Sequence, residues 1–135
     1  LPPYSEHNWH LHLAQGSLME TIRAVATFPY IAPENLTAFK EIASRMLLVI
    51  KEQESILRYD LFFNVDGTQC VAVEEFTSPA GILEHVAKNR ELLDQLTALG
   101  GAVSGSVFPM SQEGEALEVI RSSWDSKIHI HFAGK

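Results

Sequence analysis

Between Ile56 and Leu96 the chain carries its most constraining pattern. Two β-rich runs, ILRYDLFFNV and TQCVAVEEF, meet at Asp66-Gly67, and Ser78-Pro79 then opens an apolar-periodic run. Asp-Gly between such runs predicts a hairpin with a type I′ turn, because both central residues need φ > 0 and these two tolerate it. Ser78 predicts a helix N-cap and Pro79 the first helical position. A turn centred on Asp66 and Gly67 sets Leu57 opposite Phe76, Tyr59 opposite Glu74, Leu61 opposite Ala72 and Phe63 opposite Cys70. One hairpin face is then apolar except for Tyr59 and Glu74. The other face pairs Arg58 with Glu75 and Phe62 with Val71, so both faces need cover.

In the helix that follows, predicted from Pro79 to about Leu99, Ile82, Val86, Leu92, Leu93 and Leu96 share one arc of the wheel. His85 and Asn89 fall inside that arc, a polar pair one turn apart on the face that should be buried. Glu84, Lys88 and Glu91 point away.

Upstream, Ile22 to Phe28 is a β-rich run ended by prolines. From Pro33 to Glu54, Leu36, Phe39, Ala43, Met46, Leu47 and Ile50 recur at helical spacing. Pro33 opens this helix, and Glu34 in its first turn suits the dipole. Downstream, Gly100-Gly101 is a helix stop, and Ala102 to Phe108 reads as a strand in which Gly105 marks a bulge or a close approach. The order β-α-β-β-α-β predicts an α+β, ferredoxin-like sheet with both helices on one face. Its uncovered face, with Phe62 and Val71, predicts a homodimer whose sheets face each other.

At 135 residues the chain makes one domain able to bury roughly two-thirds of its unfolded surface. A net charge of −7 excludes nucleic-acid backbones and anionic membranes as natural partners, because no basic stripe is present to displace counterions. The single Cys70 excludes an intrachain disulfide, and without a signal-peptide pattern a cytoplasmic protein is expected. Residues 1–20 differ from residues 21–108: they hold Pro2-Pro3, His7, His10 and His12. They read either as an appended leader with Met19 as the natural start, or as an added strand. Residues 109–135 form a C-terminal extension, with a short helix over Glu113 to Ser123 and an alternating strand over Lys127 to Phe132 that embraces a partner subunit or extends the sheet.

From Ile22 to Phe108 the chain resembles the antibiotic-biosynthesis-monooxygenase-like family of the dimeric α+β barrel superfamily. The resemblance rests on the hairpin ILRYDLFFNVDGT, the strand VAVEEF and the SPAGILEHV helix start. In that family a strand ending in Glu, one residue, then an aromatic precedes a Ser-led helix with a His near its second turn. Glu74, Phe76, Ser78 and His85 match that pattern. The resemblance implies a pocket between sheet and helices, and an activity such as cofactor-free monooxygenation of a quinol or another small aromatic. Its haem-degrading branch carries a Trp near the end of the third strand and an Asn on the first; Glu74-Glu75-Phe76 and IRAVATF depart from both.

Within that frame His85 is the candidate general base, taking a phenolic proton so that the anion reduces O₂ directly, with no cofactor. The competing reading is a core histidine bonded to a backbone carbonyl or to Tyr59. Glu74, with Tyr59 across the hairpin, orients the imidazole or the substrate, since a buried carboxylate needs a partner; alternatively it lies near the sheet edge on a backbone amide. Asn89 and Phe76 are candidate pocket-lining residues, Asn89 otherwise being a hydrogen-bonder in the helix groove. His7, His10 and His12, and His129 with His131, have spacing that chelation tolerates, but no Cys or carboxylate accompanies them, so no metal is expected. A non-catalytic small-ligand-binding or stress-response protein is the alternative to the monooxygenase.

Overall fold

The computed structural model describes residues 21–123 and 125–135. The expectations for residues 1–20, including the His7, His10 and His12 alternation, lie outside the described residues. The chain runs β1 (Ile22–Phe28), a 3₁₀ turn (Pro33–Asn35), α1 (Leu36–Lys51), β2 (Ile56–Phe63), β3 (Cys70–Phe76), α2 (Pro79–Lys88), α3 (Arg90–Gly100), β4 (Ser104–Pro109), α4 (Glu115–Ser123) and β5 (Ser126–Ile128). The sheet order is β2-β3-β1-β4-β5, antiparallel except for the parallel β4-β5 pair. Its first four strands form the ferredoxin-like α+β unit that the element order predicts. No described helix is long and apolar enough to cross a membrane.

Tyr59 pairs with Glu74, Leu61 with Ala72 and Phe63 with Cys70, as the turn position requires. Two details of the hairpin differ from expectation. Ile56, not Leu57, lies opposite Phe76, because a bulge between Ile56 and Arg58 pushes Leu57 out of register and into solvent. The turn is not type I′: Gly67 alone takes positive φ, at 70°. Asn64 ties the loop instead, its Oδ1 accepting the N–H groups of Thr68 and Gln69 at 2.8 and 2.9 Å. The register survives because the wider loop is still centred on the same two residues.

Arg58 faces Glu75 in register, but its guanidinium bonds Asp60 at 3.0 Å while Arg23 approaches Glu75 at 3.9 Å. Gly105 sits in unbroken register opposite Ala26, so no bulge forms there. Ser78 occupies the N-cap of α2 in extended conformation without a side-chain capping bond, and Pro79 follows it into the first turn. Gly101 closes α3 at φ 88°, a conformation that favours glycine.

The largest departure is a break in the predicted second helix at Asn89. Its side-chain Nδ2 donates to the His85 carbonyl at 2.9 Å, sharing that acceptor with the Asn89 backbone N–H at 3.1 Å. A side chain competing for the helix's own carbonyls turns the backbone to φ −113°, ψ 17° and starts a second helix.

The C-terminal strand stops at Ile128, short of the predicted Phe132. The N–H of His129 still bonds the Val107 carbonyl at 3.0 Å. The next rung of a parallel ladder would need an N–H from residue 109, and Pro109 has none. β5 therefore extends the sheet as a short fifth strand.

Two buried clusters hold the helices on the sheet. One gathers Phe28, Phe39, Met46, Ile50, Cys70 and Leu96 under α1 and α3. The other joins Ile22, Phe76, Ile82, Val107, Leu117 and Ile120 under α2 and α4. On β1 the covered face reads Ile22, Ala24, Ala26, Phe28, large at both ends and small in the middle. That middle is where the site forms.

Candidate active site

Ala24 and Ala26 on β1, with Ala26 paired to Gly105 on β4, place no bulk above the centre of the sheet. A cavity of about 270 Å³ fills that space. α2 contributes Ile82, His85 and Val86 to its wall, and α3 contributes Leu93 and Thr97. Tyr59 and Glu74 enter from the sheet, while Asp125 and Ser126 close it from the β5 side. The volume lies just below the roughly 300–1,000 Å³ usual for small-molecule pockets, which suits a compact ligand.

Glu74 is on an interior strand, not at the sheet edge; it is 6% exposed and lies directly across the ladder from Tyr59. Burial pushes the carboxyl up to about 8, and the Tyr59 hydroxyl only partly opposes that shift. The Tyr59 phenol is itself raised well above its ordinary value, first by burial and then by the neighbouring Glu74. These two groups therefore spend neutral pH largely protonated, with the carboxyl the first to ionise.

His85 is buried beside them, its ring centroid 5.1 Å from that of Tyr59 and 6.0 Å from that of Phe76. Burial depresses its pKa to about 4, so the imidazole is neutral at physiological pH. Its hydrogen-bond partner is neither a backbone carbonyl nor Tyr59: the Asn89 amide nitrogen lies 3.2 Å from Nδ1. Asn89 is 1% exposed, and its Oδ1 has no partner among the described residues.

Of the five residues singled out from the sequence, Tyr59, Glu74 and His85 converge on the cavity. Phe76 and Asn89 do not line it. Phe76 supports the His85 ring from the side, and Asn89 holds the ring's Nδ1. Arg90, Asp94 and Thr97 on α3, with Ser104, Asp125 and Ser126, make a polar approach that sequence patterning missed. For Arg90, Asp94 and Thr97 the available signal was the polar side of α3, whose phase the helix break altered.

Gln53 was missed as well. It is 3% exposed and bonds Ser55 Oγ at 2.7 Å and the Gly81 carbonyl at 3.0 Å, anchoring the first turn of α2 and so the depth of His85. Cys70 is buried outside the cavity, with its thiol pushed up to about 11 by burial, an inert packing group. Among the described residues no group of three or more His, Cys, Asp or Glu is placed to hold a metal; His129 instead stacks on Phe108 at 4.8 Å.

Fold and site together define an α+β protein with a buried carboxyl, phenol and imidazole set in a hollow between sheet and helices. The same fold occurs in MupZ from Pseudomonas fluorescens, with a TM-score of 0.72 and 22% identity over 86% of this chain and 93% of that one. It occurs in an antibiotic biosynthesis monooxygenase, with a TM-score of 0.56 and 21% identity over 64% of this chain and 92% of that one. SnoaB, a cofactor-independent oxygenase from Streptomyces nogalater, matches with a TM-score of 0.58 and 16% identity over 70% of this chain and 96% of that one. No protein-family model and no curated protein matches the chain. The resemblance carried by the hairpin and the Ser-led helix is thus borne out as likeness of fold.

Proposed function

We propose that the chain is a monooxygenase that needs no cofactor and oxidises a phenol or quinol of one or two rings with O₂. The observation that carries this reading is Glu74: a carboxyl pushed up to about 8, across the ladder from Tyr59 and facing a small, largely apolar cavity. A base gains strength with its pKa, so the ionised Glu74 is a far stronger proton acceptor than an imidazole at about 4. The base role expected for His85 therefore passes to Glu74, and His85 becomes a neutral hydrogen-bonding group for a substrate oxygen. The fold shared with an antibiotic biosynthesis monooxygenase and a cofactor-independent oxygenase supports the same chemistry.

The steps balance without a bound redox group. The phenolic proton passes to the Glu74 carboxylate, and the electron-rich anion gives one electron to O₂. The substrate radical and superoxide combine at a ring carbon that bears hydrogen, para to the phenolate oxygen or, in a quinol, ortho to it, and the resulting peroxide anion takes the proton back from Glu74. Loss of the C–H proton from that carbon breaks the O–O bond, so phenol and O₂ become quinone and water. Apolar walls favour the electron transfer by keeping bulk water from the anion.

Oxygen uptake with a panel of hydroquinones and fused-ring phenols tests this reading. Glu74→Gln should lower kcat by about a hundredfold or more, and wild-type activity should rise as pH rises through about 8. Turnover by Glu74→Gln equal to wild type would remove the mechanism. Tight binding of such phenols with no oxygen consumed by wild type would favour the non-catalytic ligand-binding alternative.

The protein works as a homodimer in this reading, in a cytoplasmic setting that keeps Cys70 reduced. The sheet face away from the helices exposes Phe62 and Val73, at 56% and 38%, together with Phe108, and a second copy covers it. Sedimentation should give a dimer that Phe62→Asp converts to monomer; a wild-type monomer at micromolar concentration would refute it.

A further inference from the structure

We infer that Asn89 is a positioning residue that fixes the tautomer of His85, so that the ring presents an Nε2–H donor to whatever occupies the cavity. The inference rests on the proposed site but concerns a property of the protein alone. Asn89 Nδ2 carries two hydrogens, and the structure gives it two acceptors: the His85 carbonyl at 2.9 Å and His85 Nδ1 at 3.2 Å. Turning the amide over would set Oδ1 against that carbonyl, two acceptors face to face, so the orientation is determined by the backbone rather than by the ring. With an N–H donor directed at it, Nδ1 must hold a lone pair, and a neutral imidazole then carries its proton on Nε2. The break between α2 and α3 serves the same end, because the Asn89 side chain reaches the carbonyl and the ring of one residue together.

The arrangement also opposes a charged ring. An imidazolium would direct a second N–H at the Asn89 donor, and among the described residues no carboxylate is paired with His85 to offset that. The facing groups are Tyr59 from β2 and Glu74 from β3, both held protonated by burial, with Phe76 beside them. The ligand atom that meets the ring is accordingly an acceptor, such as a carbonyl, phenolate or quinone oxygen, and a ligand offering only donors there is refused.

Long-range ¹H–¹⁵N correlation spectra of the full chain with labelled histidine test this directly, His85 being assigned by its loss in His85→Gln. At neutral pH the His85 signals should show the Nε2–H pattern. Asn89→Asp, which places an acceptor beside Nδ1, should convert them to the Nδ1–H pattern, and Asn89→Ala should give a mixture of the two. An Nδ1–H or doubly protonated wild-type ring would overturn the inference, and so would an Asn89→Ala ring unchanged from wild type. The spectra need no folded variant to be decisive, because the wild-type pattern alone can refute the claim. Absent oxygen uptake with the Nε2–H pattern intact would count against the oxygenase reading only; uptake with the wrong tautomer would count against this inference only.

Discussion

The same face of one sheet carries two interiors of opposite character. Under α1, Phe39 packs edge-on against Phe28 and Phe63 with ring centroids 5.2 and 6.0 Å away, in a cluster whose buried members are all apolar. One or two rungs further along β1, Ala24 and Ala26 leave a hollow, and Glu74, Tyr59 and His85 stand at its wall. The contrast shows that the hollow is a local choice of small side chains, made affordable by dense packing on either side. Stability resides in the aromatic end, and chemistry is placed where stability was given up.

The sharpest way to break this contrast is to truncate the aromatic end. Phe39→Ala should cost about 3–5 kcal/mol in chemical denaturation, since the ring is fully buried and its neighbours cannot collapse into the space. A loss under 1 kcal/mol would show that the two ends are not so different.

The next effect lies in the dependence of stability on pH. Glu74 has a folded pKa of about 8 against an ordinary 4.5, so the native state holds a proton that the unfolded chain releases, and stability falls as pH rises from about 4.5 to 8. His85 has the opposite sign: with a folded pKa of about 4 against 6.5, stability falls as pH drops from about 6.5 to 4. Between about 4.5 and 6.5 the two slopes oppose each other, leaving a plateau with losses on both sides. Glu74→Gln should abolish the alkaline loss, which approaches roughly 1.4 kcal/mol per pH unit at most. An unchanged alkaline limb in that variant would mean the carboxyl is not the group responsible.

Smaller effects test the hollow itself. Ala26→Leu fills space instead of creating it, so stability should move by less than about 1.5 kcal/mol, while ligand binding measured by calorimetry should be lost. Smallest of all, Arg23→Ala should change stability by less than about 0.5 kcal/mol, because its 3.9 Å approach to Glu75 is solvent-exposed.

The hairpin register, the helix under Leu36 to Ile50 and the pairing of Tyr59 with Glu74 were legible because alternation, periodicity and Asp-Gly are local signals. Leu57 was misplaced because a bulge leaves no mark in composition when both neighbours are apolar or charged. The break at Asn89 was hidden by unbroken apolar periodicity with no Gly or Pro at the junction; only the side chain's competition for a carbonyl creates it. His85, Glu74 and Tyr59 could be proposed from burial of polar groups on apolar faces. Ala24 and Ala26 could not be read as the floor of a hollow, since an alanine in a strand looks merely like a weak β-former. The order of base strength between Glu74 and His85 was equally out of reach, because it depends on how completely each is dried.

The parallel strand at the chain's end gives the C-terminal region a task beyond completing the sheet. Asp125 and Ser126 line the same cavity that Glu74 faces. A chain shortened at Pro109 would lose Leu117 and Ile120 from the cluster under α2 as well as this flank of the cavity, so the Glu74 carboxyl should relax toward an ordinary surface carboxylate. On this view Asp125 and Ser126 act as a gasket, tuning proton affinity by deciding how wet the chamber is.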